Sequence, residues 1–515
     1  MSTPVKPSDT PEVVLGIAQE PGEGPPVNDP NRFRALFVIA IAQLMIVLDA
    51  SIVNLAIPSA QKDLGISSAN VQWIVTAYTL AFGGLLLLGG RIADYNGRKK
   101  MFMVGLLGFA GASLLGALAP GQAWLFAARG LQGVFAAMLA PAALALITTT
   151  FHDPKERAKA FGVFGAISGG GAAVGLLLGG VLTEYLSWRW CLAVNTPIAI
   201  IAFLLAARFV HESRAEGHAR YDIPGAITVT GGLIALVYGF TKAAPTSIQD
   251  TAHWTAPSTL FWFALAVVLL TAFIFIEARS THPLLPLRVL TERNRAGAYI
   301  SSIMTGAGMF AMFLFLGLYM QLILHYSPVR AGLAFLPFSV GIILGAGVAS
   351  QLLPKLGPRP LMVPGLVAGA VGMLWLAQLQ PDSEYLTHLL PPMIIMSVGM
   401  AFVFIPTATV ALHAIFHRDA GVASATINTS QQVGGSLGTA LMNTVAVTAT
   451  TAYLASHIDE GSAALPAALT HGYTQGFYLG AALLIGAAVV VLLLIRIGPD
   501  AVRDDDSGVG PAHMG

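Results

Sequence analysis

Charged side chains are scarce in this sequence: only 10% of its 515 residues are Asp, Glu, Lys or Arg, whereas 55% are hydrophobic. Average soluble domains carry roughly a quarter charged residues, because a soluble fold must cover its core with polar surface. The composition therefore excludes an ordinary soluble protein and predicts an integral membrane protein. The net charge of +1 gives no reason to expect a nucleic-acid partner.

Cysteine is nearly absent, since Cys191 is the only one. A single cysteine excludes an internal disulfide framework and any metal site built from several cysteines. The sequence also lacks a phosphate-cradling loop, a nucleophile elbow and a cluster of catalytic His and Asp residues, so we expect neither an ATP-driven pump nor an enzyme. His413 and His417 have the spacing of metal ligands on a helix, but they lie where a span meets the cytosol. We predict no metal and no cofactor.

Long apolar runs take the place of charge. About 20 residues of helix are needed to cross ~30 Å of hydrocarbon. Fourteen windows are apolar over such a length: 35–57, 71–90, 101–119, 123–149, 158–182, 190–209, 224–241, 258–277, 297–323, 331–353, 360–379, 387–411, 426–449 and 474–496. The predicted fold class is an all-α polytopic membrane protein with 14 transmembrane helices. The even count places both chain ends on one side of the bilayer.

The basic residues predict the orientation of these spans. Cytoplasmic loops hold an excess of Lys and Arg. With the N-terminus inside, nearly all of the 27 basic residues fall in cytosolic loops and tails, and the outer loops hold only Lys62, Arg189, Lys242 and Arg330. We therefore expect a multi-pass protein of a bacterial cytoplasmic membrane with both termini in the cytosol.

An internal repeat divides the chain. Phe151-His152 follows Pro141 at the same distance as Phe416-His417 follows Pro406, and a glycine-rich helix comes after each pair. Duplicated halves are an architecture of transporters, with substrate bound between them near the midplane. The predicted units are a disordered cytosolic tail (1–33), an N-terminal six-helix bundle (34–210), two inserted helices with flanking loops (211–295), a C-terminal six-helix bundle (296–497) and a second cytosolic tail (498–515).

Two fully ionisable side chains lie well inside the predicted spans, Asp49 and Arg129. A charge at the centre of a bilayer costs at least ~2.5–3.5 kcal/mol, so such residues usually face a polar cavity. The functional interpretation is that Asp49 faces a wet crevice and exchanges a proton, while the positive charge of Arg129 tunes that exchange. The alternatives are that Asp49 is solvated near the outer interface, belongs to a static ion pair, or contacts substrate directly.

The second cytosolic turn, residues 90–100, carries a motif. Gly97 permits a tight turn, and Asp94 stands where a helix end or an arginine could hold it. With Gly90, Arg98 and Lys99, these residues resemble the loop motif of the major facilitator superfamily, although Tyr95 replaces a basic residue. The resemblance implies the major facilitator fold, and it implies that Asp94 helps to gate the cytosolic side.

Further stretches resemble the fourteen-span drug:proton antiporter branch of that family. They include residues 48–58 in the first span, residues 129–133 in the fourth, and Trp188-Arg189-Trp190 with Asn195 and Pro197 before the sixth. In the fifth span, Gly171, Gly175, Gly179 and Gly180 match the antiporter motif, but Leu176 stands at its usual proline. Glycines four apart also serve plain helix packing.

The resemblance implies a secondary transporter that exports small amphipathic molecules in exchange for protons, with the proton gradient as its energy source. An importer, a lipid translocator and a sensor without transport are the alternatives. The candidate substrate cavity comprises Asn54, Tyr78, Gln132, Asn428, Gln431 and Gln432. Because the thirteenth span has no acidic residue, we expect a neutral, zwitterionic or monocationic substrate. The partners are this substrate, protons and the bilayer, and the chain is expected to be a monomer.

Overall fold

A computed structural model describes residues 30–215, 221–248, 250–413, 415 and 419–499. The described chain is helical, with no strand in these ranges. The helices are α1 Arg32–Leu64, α2 Trp73–Asn96, α3 Arg98–Ala117, α4 Gln122–Thr150, α5 Pro154–Tyr185, α6 Trp188–Ala193, α7 Asn195–Phe209, α8 Ile223–Ala243, α9 Pro257–Arg279, α10 Leu287–Thr291, α11 Arg293–Leu318, α12 Pro328–Leu356, α13 Pro358–Leu376, α14 Leu390–Leu412, α15 Ala420–Ser456 and α16 Leu465–Leu494. π-Helical turns extend α11 at Tyr319–Ile323 and precede α14 at Tyr385–Leu389.

Thirteen helices within the described ranges are long and apolar enough to cross a membrane. The predicted span that is missing from this set, 426–449, lies within α15, whose 37 residues are rich in Thr, Ser and Gln. The predicted sixth span is interrupted at Val194, between α6 and α7. The prediction of a polytopic helical membrane protein is confirmed, and the count of fourteen is supported approximately.

The two halves of the chain pack their helices in the same pattern. In the first half, α1 packs on α5, and α4 packs on both α2 and α3. In the second half, α11 packs on α15, and α14 packs on both α12 and α13. The matched prolines agree with this pattern, since Pro141 lies inside α4 and Pro406 inside α14. The helices α1 to α7 and α11 to α16 are therefore two structural repeats.

The halves meet along two seams, one between α2 and α15 and the other between α5 and α12. Because α2 corresponds to α12 and α5 to α15, the two seams are equivalent under the repeat. The inserted helices break this equivalence. Helix α8 packs on α9 and also on both helices of the first seam, α2 and α15.

The seams are closed at the predicted outer end of the spans. There the backbone N–H of Val329 donates to Glu184 Oε2 at 2.9 Å, and Asn443 Nδ2 donates to the carbonyl of Ser68 at 3.0 Å. At the opposite end, no residue from 161 to 170 in α5 is buried. Both seams are thus closed on the predicted outer side, whereas this part of α5, toward its predicted cytosolic end, is not buried.

Parts of the predicted organisation fall outside the described residues. These parts are most of the two tails, 1–33 and 498–515, and the landmarks Phe416 and His417. The boundaries assigned to the units 34–210, 211–295 and 296–497 stay a prediction.

Candidate functional site

Asp49 and Arg129 form an ion pair inside the first helical bundle. Arg129 Nη1 donates to Asp49 Oδ2 at 2.7 Å, and both side chains are almost completely shielded from solvent. Asp49 lies midway along α1, and Arg129 lies in the second turn of α4. The pair therefore joins two helices of the same half.

Amide side chains donate further hydrogen bonds to the Asp49 carboxylate. Its Oδ1 accepts hydrogen bonds from Asn195 Nδ2 at 2.8 Å and from Gln132 Nε2 at 3.0 Å. Gln132 Nε2 also donates to the hydroxyl of Ser113 at 2.7 Å, and its Oε1 accepts from Arg129 Nη1 at 2.8 Å. The fourth and sixth spans thus bond directly to a carboxylate of the first, and the third span joins this network through Ser113.

Arg129 has further partners that hold its guanidinium in place. Its Nε donates to the carbonyl of Ile74 at 3.0 Å, and the guanidinium carbon lies 4.6 Å from the centre of the Tyr78 ring. Both contacts come from the start of α2, so the guanidinium links α4 to that helix as well.

The prediction that Asp49 faces a wet crevice is wrong for this conformation, because the side chain is fully buried and ion-paired. Two candidates for the substrate cavity are also misplaced. Tyr78 is 1% exposed and Gln132 is fully buried, so both belong to the interior of the first bundle. Gln132 bonds to both members of the ion pair, and the ring of Tyr78 contacts the Arg129 guanidinium.

The remaining cavity candidates lie on helices where the halves meet. Asn54 is half-buried, and its Nδ2 donates to carbonyls of its own helix at Ala50 and Ser51. On α15, Asn428 is exposed, whereas Gln431 and Gln432 are half-buried. The backbone of Gly306 approaches Gln431, and Gly83 of α2 approaches Gln432.

The loop motif folds against the segment that follows the sixth span. Asp94 and Arg98 form an ion pair at 2.8 Å within the turn, where Gly97 has a φ of 109°. The Glu212 carboxylate accepts hydrogen bonds from the backbone N–H groups of Lys99 at 3.0 Å and Lys100 at 3.1 Å. A carboxylate at this position satisfies donors at the N-terminus of α3 and opposes the positive end of its dipole. In this conformation the ion pair and the Glu212 contacts lie within one half, whereas Arg91 of the motif donates to the carbonyl of His282, outside that half.

The glycines of α5 bring that helix close to two neighbours. A side chain at Gly175 would overlap the hydroxyl of Ser51, and one at Gly179 would lie 2.6 Å from the carbonyl of Ile52. A side chain at Gly180 would instead meet the carbonyl of Pro328 at 2.6 Å, on α12. Gly171 approaches Val47 of α1. Leu176, at the position of the usual proline, is buried, and its carbonyl lies beside Gly332.

Comparison with known proteins decides the family. The sequence profile described as Major Facilitator Superfamily matches residues 39–439. The chain belongs to this superfamily.

Whole-length relatives give the same assignment. The chain is 49% identical to the puromycin resistance protein pur8 of Streptomyces alboniger over 490 residues, which cover 94% of this chain and 96% of that protein. It is 37% identical to the cephamycin export protein CmcT of Amycolatopsis lactamdurans over 470 residues, covering 90% and 91%. The solved structure of a bacterial homolog of the human lysosomal transporter Spinster shares the fold, with a TM-score of 0.63 at 15% identity over 94% of this chain and all of that one.

Membership of the superfamily confirms the predicted multi-pass membrane transporter, and with these relatives it confirms a secondary transporter that exports small molecules. The roles predicted for individual residues, the coupling to protons and the position of the termini stay predictions.

Sequence reasoning missed three residues of this facilitator. Asn195 was noted only as part of the sixth-span motif, although an amide in an apolar helix already pointed to a buried partner. Glu212 lies in a loop that is otherwise rich in basic residues. Its negative charge there was the one feature of the sequence that could have identified it. Glu277, at the end of α9, is 3% exposed, and its Oε2 accepts from the backbone N–H of Leu285 at 3.1 Å. Asp49 and Arg129 are thus not the only buried ionisable side chains in the spans.

Proposed function

We propose that this facilitator exports antibiotic-like amphipathic molecules from the cytosol in exchange for protons, and that Asp49 is the proton-binding group. The supporting observation is the buried ion pair of Asp49 and Arg129 in one bundle. Retaining two charges in an apolar interior is costly, and a well-packed apolar pair would often be more stable. A functional reason for keeping these charges is therefore favoured over a purely structural one.

The geometry suggests how a proton could drive the cycle. Arg129 Nη1 and the amides of Gln132 and Asn195 all donate to the Asp49 carboxylate. A proton on Asp49 would remove its negative charge and weaken each of these bonds, since a neutral carboxyl is a poorer acceptor than a carboxylate. Helices α1, α4 and α7 would then be free to shift relative to one another. In this state, with both seams closed on the predicted outer side, the pair is formed, which fits a carboxylate that has released its proton.

Protonation would have to occur in another state, because Asp49 is sealed from solvent in this one. We propose that opening at the predicted outer end exposes the cluster, that protonation there favours release of substrate, and that return to the present state delivers the proton to the cytosol. Asp94 would bias the same equilibrium through its ion pair with Arg98 at the cytosolic turn. The Asp94→Asn substitution should therefore alter transport while leaving substrate binding largely intact.

The substrate class rests on the relatives and on the uncharged helix faces between the halves. Relatives of nearly equal length are a puromycin resistance protein and a cephamycin export protein. The polar side chains of α15 are uncharged, and the amides Asn428, Gln431 and Gln432 among them fit neutral, zwitterionic or singly charged molecules. Puromycin is the first compound to test. We propose a monomer in the cytoplasmic membrane with both termini in the cytosol.

The coupling role is tested by Asp49→Asn, with Asp63→Asn as the matched control. Asp63 lies on the same helix but pairs with Arg189 at the half-exposed outer end, at 3.0 Å. In everted vesicles under a pH gradient, puromycin should evoke proton flux with the unaltered chain and with Asp63→Asn, but not with Asp49→Asn. Undiminished puromycin-driven flux with Asp49→Asn would refute the role.

Loss of folding is a foreseeable complication, because removing one partner of a buried ion pair costs about 3–5 kcal/mol. The double substitution Asp49→Asn with Arg129→Gln removes both charges and leaves no unpaired ion. It should fold and bind puromycin, yet it should fail to move protons.

A further inference from the structure

Two buried carboxylates lie at the predicted cytosolic end of the inserted hairpin α8–α9, far from the Asp49 cluster along the chain. Asp222 directly precedes α8 and is 7% exposed, and Glu277 lies in the last turn of α9 and is 3% exposed. Neither belongs to an ion pair within the described ranges. Because burying an ionised carboxylate without a cation is costly, these two side chains need another means of compensation.

The packing of α8 against α9 brings the two carboxylates to the same level. A side chain at Gly232 of α8 would meet Leu270 of α9, so seven residues nearer the cytosol Gly225 lies opposite Glu277 in this antiparallel pair. The backbone N–H of Gly225 donates to Asp222 Oδ1 at 2.8 Å, which holds the Asp222 carboxylate at that level. The two side chains are close enough for their charges to interact.

Each of these carboxylates has one bonded oxygen and one oxygen without a partner. Glu277 Oε2 accepts from the backbone N–H of Leu285 at 3.1 Å, and Asp222 Oδ1 accepts from Gly225. The remaining oxygens, Glu277 Oε1 and Asp222 Oδ2, are buried and have no hydrogen-bond partner in the described chain. Buried polar atoms nearly always have a partner, so two such oxygens at one level of a hairpin indicate that a hydrogen is bound between them.

The charged groups around this site belong mainly to α2 and to the loop after α9. Arg91 of α2 is close enough to interact with the charge of Glu277, but its guanidinium donates to the carbonyls of His282, at 2.9 Å, and Pro283. Helix α15, which also packs on α8, has no ionisable side chain from 420 to 452. The other ionisable side chains at this end of the hairpin and its neighbours are Asp94 and Arg98, which pair with each other, Tyr95, Tyr221, Arg279 and His282.

We propose that Asp222 and Glu277 form a second proton-binding site, in which one proton is shared between Asp222 Oδ2 and Glu277 Oε1. Two carboxylates that face each other at close range cannot both be ionised, because their like charges repel. One bound proton turns the pair into a carboxyl that donates and a carboxylate that accepts, so both unpartnered oxygens gain a hydrogen bond. The site is separate from Asp49, and it depends neither on the role of that residue nor on export.

The site is placed to act on the motif of the second cytosolic turn. Glu277 holds the loop after α9 through Leu285, and Arg91 of the motif holds the same loop through His282 and Pro283. When the proton leaves to cytosolic water, the site changes from one negative charge to two. The Arg91 guanidinium, which now bonds to uncharged carbonyls, is then drawn toward the carboxylates, and the loop loses this anchor. The proton concentration of the cytosol thus sets how firmly the inserted hairpin is tied to the first half.

Infrared spectroscopy of the purified full-length protein, in a detergent without ester groups, detects the shared proton directly. The C=O stretch of a protonated carboxyl absorbs at a higher frequency than amides and carboxylates do. Near neutral pH the unaltered protein should show such a band, and the band should shift in D2O. Asp222→Asn and Glu277→Gln should each abolish it, because the introduced amide donates its own N–H across the pair and leaves the remaining carboxylate ionised.

Two further variants serve as controls. Glu212→Gln alters a carboxylate on the same cytosolic side that already accepts from two backbone N–H groups, and it should retain the band, as should Asp49→Asn. Absence of the band from the unaltered protein, or its persistence in either Asp222→Asn or Glu277→Gln, would overturn the shared proton. Loss of the band in Asp49→Asn would assign the proton to the first bundle instead. Since no transport is measured, failure of the proposed export function leaves this test unaffected.

Hydrogen exchange tests the link between the site and the loop. At an alkaline pH at which the infrared band of the unaltered protein has disappeared, the amides of His282, Leu284 and Leu285 should exchange several-fold faster in the unaltered protein than in Glu277→Gln. Near neutral pH, with the proton bound, the two proteins should exchange these amides at similar rates. Comparison at one pH removes the intrinsic pH dependence of exchange. Equal exchange in the two proteins at both pH values would overturn the link to the loop.

Discussion

The hydroxyls of Thr79 on α2 and Ser436 on α15 lie 2.6 Å apart and join the two halves of the transporter. Both side chains are buried, and each hydroxyl is also within hydrogen-bond distance of a backbone carbonyl of its own helix. Alternating access requires the halves to move against each other around a central site. The bond between these hydroxyls therefore belongs to the closed outer end, and it must lengthen or break when that end opens.

Thr79→Val should shift the conformational equilibrium toward the outward-open state. The change keeps the shape of the side chain but removes a hydrogen bond between the halves, worth about 1 kcal/mol. Distances between spin labels at the outer ends of α2 and α15 should show a larger fraction of separated halves. Thr228→Val is the control, because Thr228 bonds only to carbonyls of α8. An unchanged distance distribution in Thr79→Val would argue against this role.

Asn195→Leu should destabilise the first bundle more than Asn54→Leu. Asn195 Nδ2 donates to the buried carboxylate of Asp49, whereas Asn54 donates only to backbone carbonyls of its own helix. Loss of a donor to a buried charge costs about 1–3 kcal/mol. Thermal unfolding of the purified protein in detergent is the measurement. Similar melting temperatures for the two variants would contradict the prediction.

Gly175→Ala should lower stability, whereas Gly170→Ala should not. A methyl group at Gly175 would overlap Ser51 on α1, while one at Gly170 meets no described atom within 4 Å. Overpacking of this kind typically costs about 1–3 kcal/mol, because helices must move apart to relieve it. Thermal unfolding and the yield of folded protein would measure the difference. Equal yields and melting temperatures would show that α1 and α5 are less tightly apposed.

Glu212→Ala should loosen the start of α3. The carboxylate of Glu212 satisfies the backbone N–H groups of Lys99 and Lys100, and loss of such a cap costs about 1 kcal/mol. Hydrogen exchange at these two amides should accelerate, while exchange in α4 should not change. Glu184→Ala is a comparison at the other end of the molecule, where the carboxylate accepts from Val329 instead. Equal protection of Lys99 and Lys100 in both variants would exclude the capping role.

Much of the fold follows from local properties of the sequence. An apolar run of about 20 residues is sufficient to predict a span, because hydrocarbon accepts only helices or closed barrels. The matched prolines 141 and 406 predicted two related halves, and both lie in equivalent helices of the structure. The predicted span 426–449 is not among the thirteen helices of the described chain that are apolar enough to cross a membrane, because α15 carries many hydroxyl and amide side chains.

The candidate site was predicted only in part. Asp49 and Arg129 stand out because a charge is rare within an apolar run. Their direct contact does not follow from sequence, nor does the contribution of Asn195, which is 146 positions from Asp49 along the chain. The same limit explains why Tyr78 and Gln132 were assigned to a substrate cavity: a polar residue in a span can serve a buried charge or a ligand, and spacing alone does not distinguish them.

The sequence by itself determined that the chain spans a bilayer, which segments are apolar enough to predict a span, which ends are rich in positive charge and which family it belongs to. Tertiary structure decided which side of each helix faces protein, which partners surround Asp49 and which of the two seams α8 covers. The physical reason is that lipid tails are as apolar as a protein core. A helix in this environment can be apolar on every side, so its sequence carries little information about the face that packs, and only the assembled bundle assigns it.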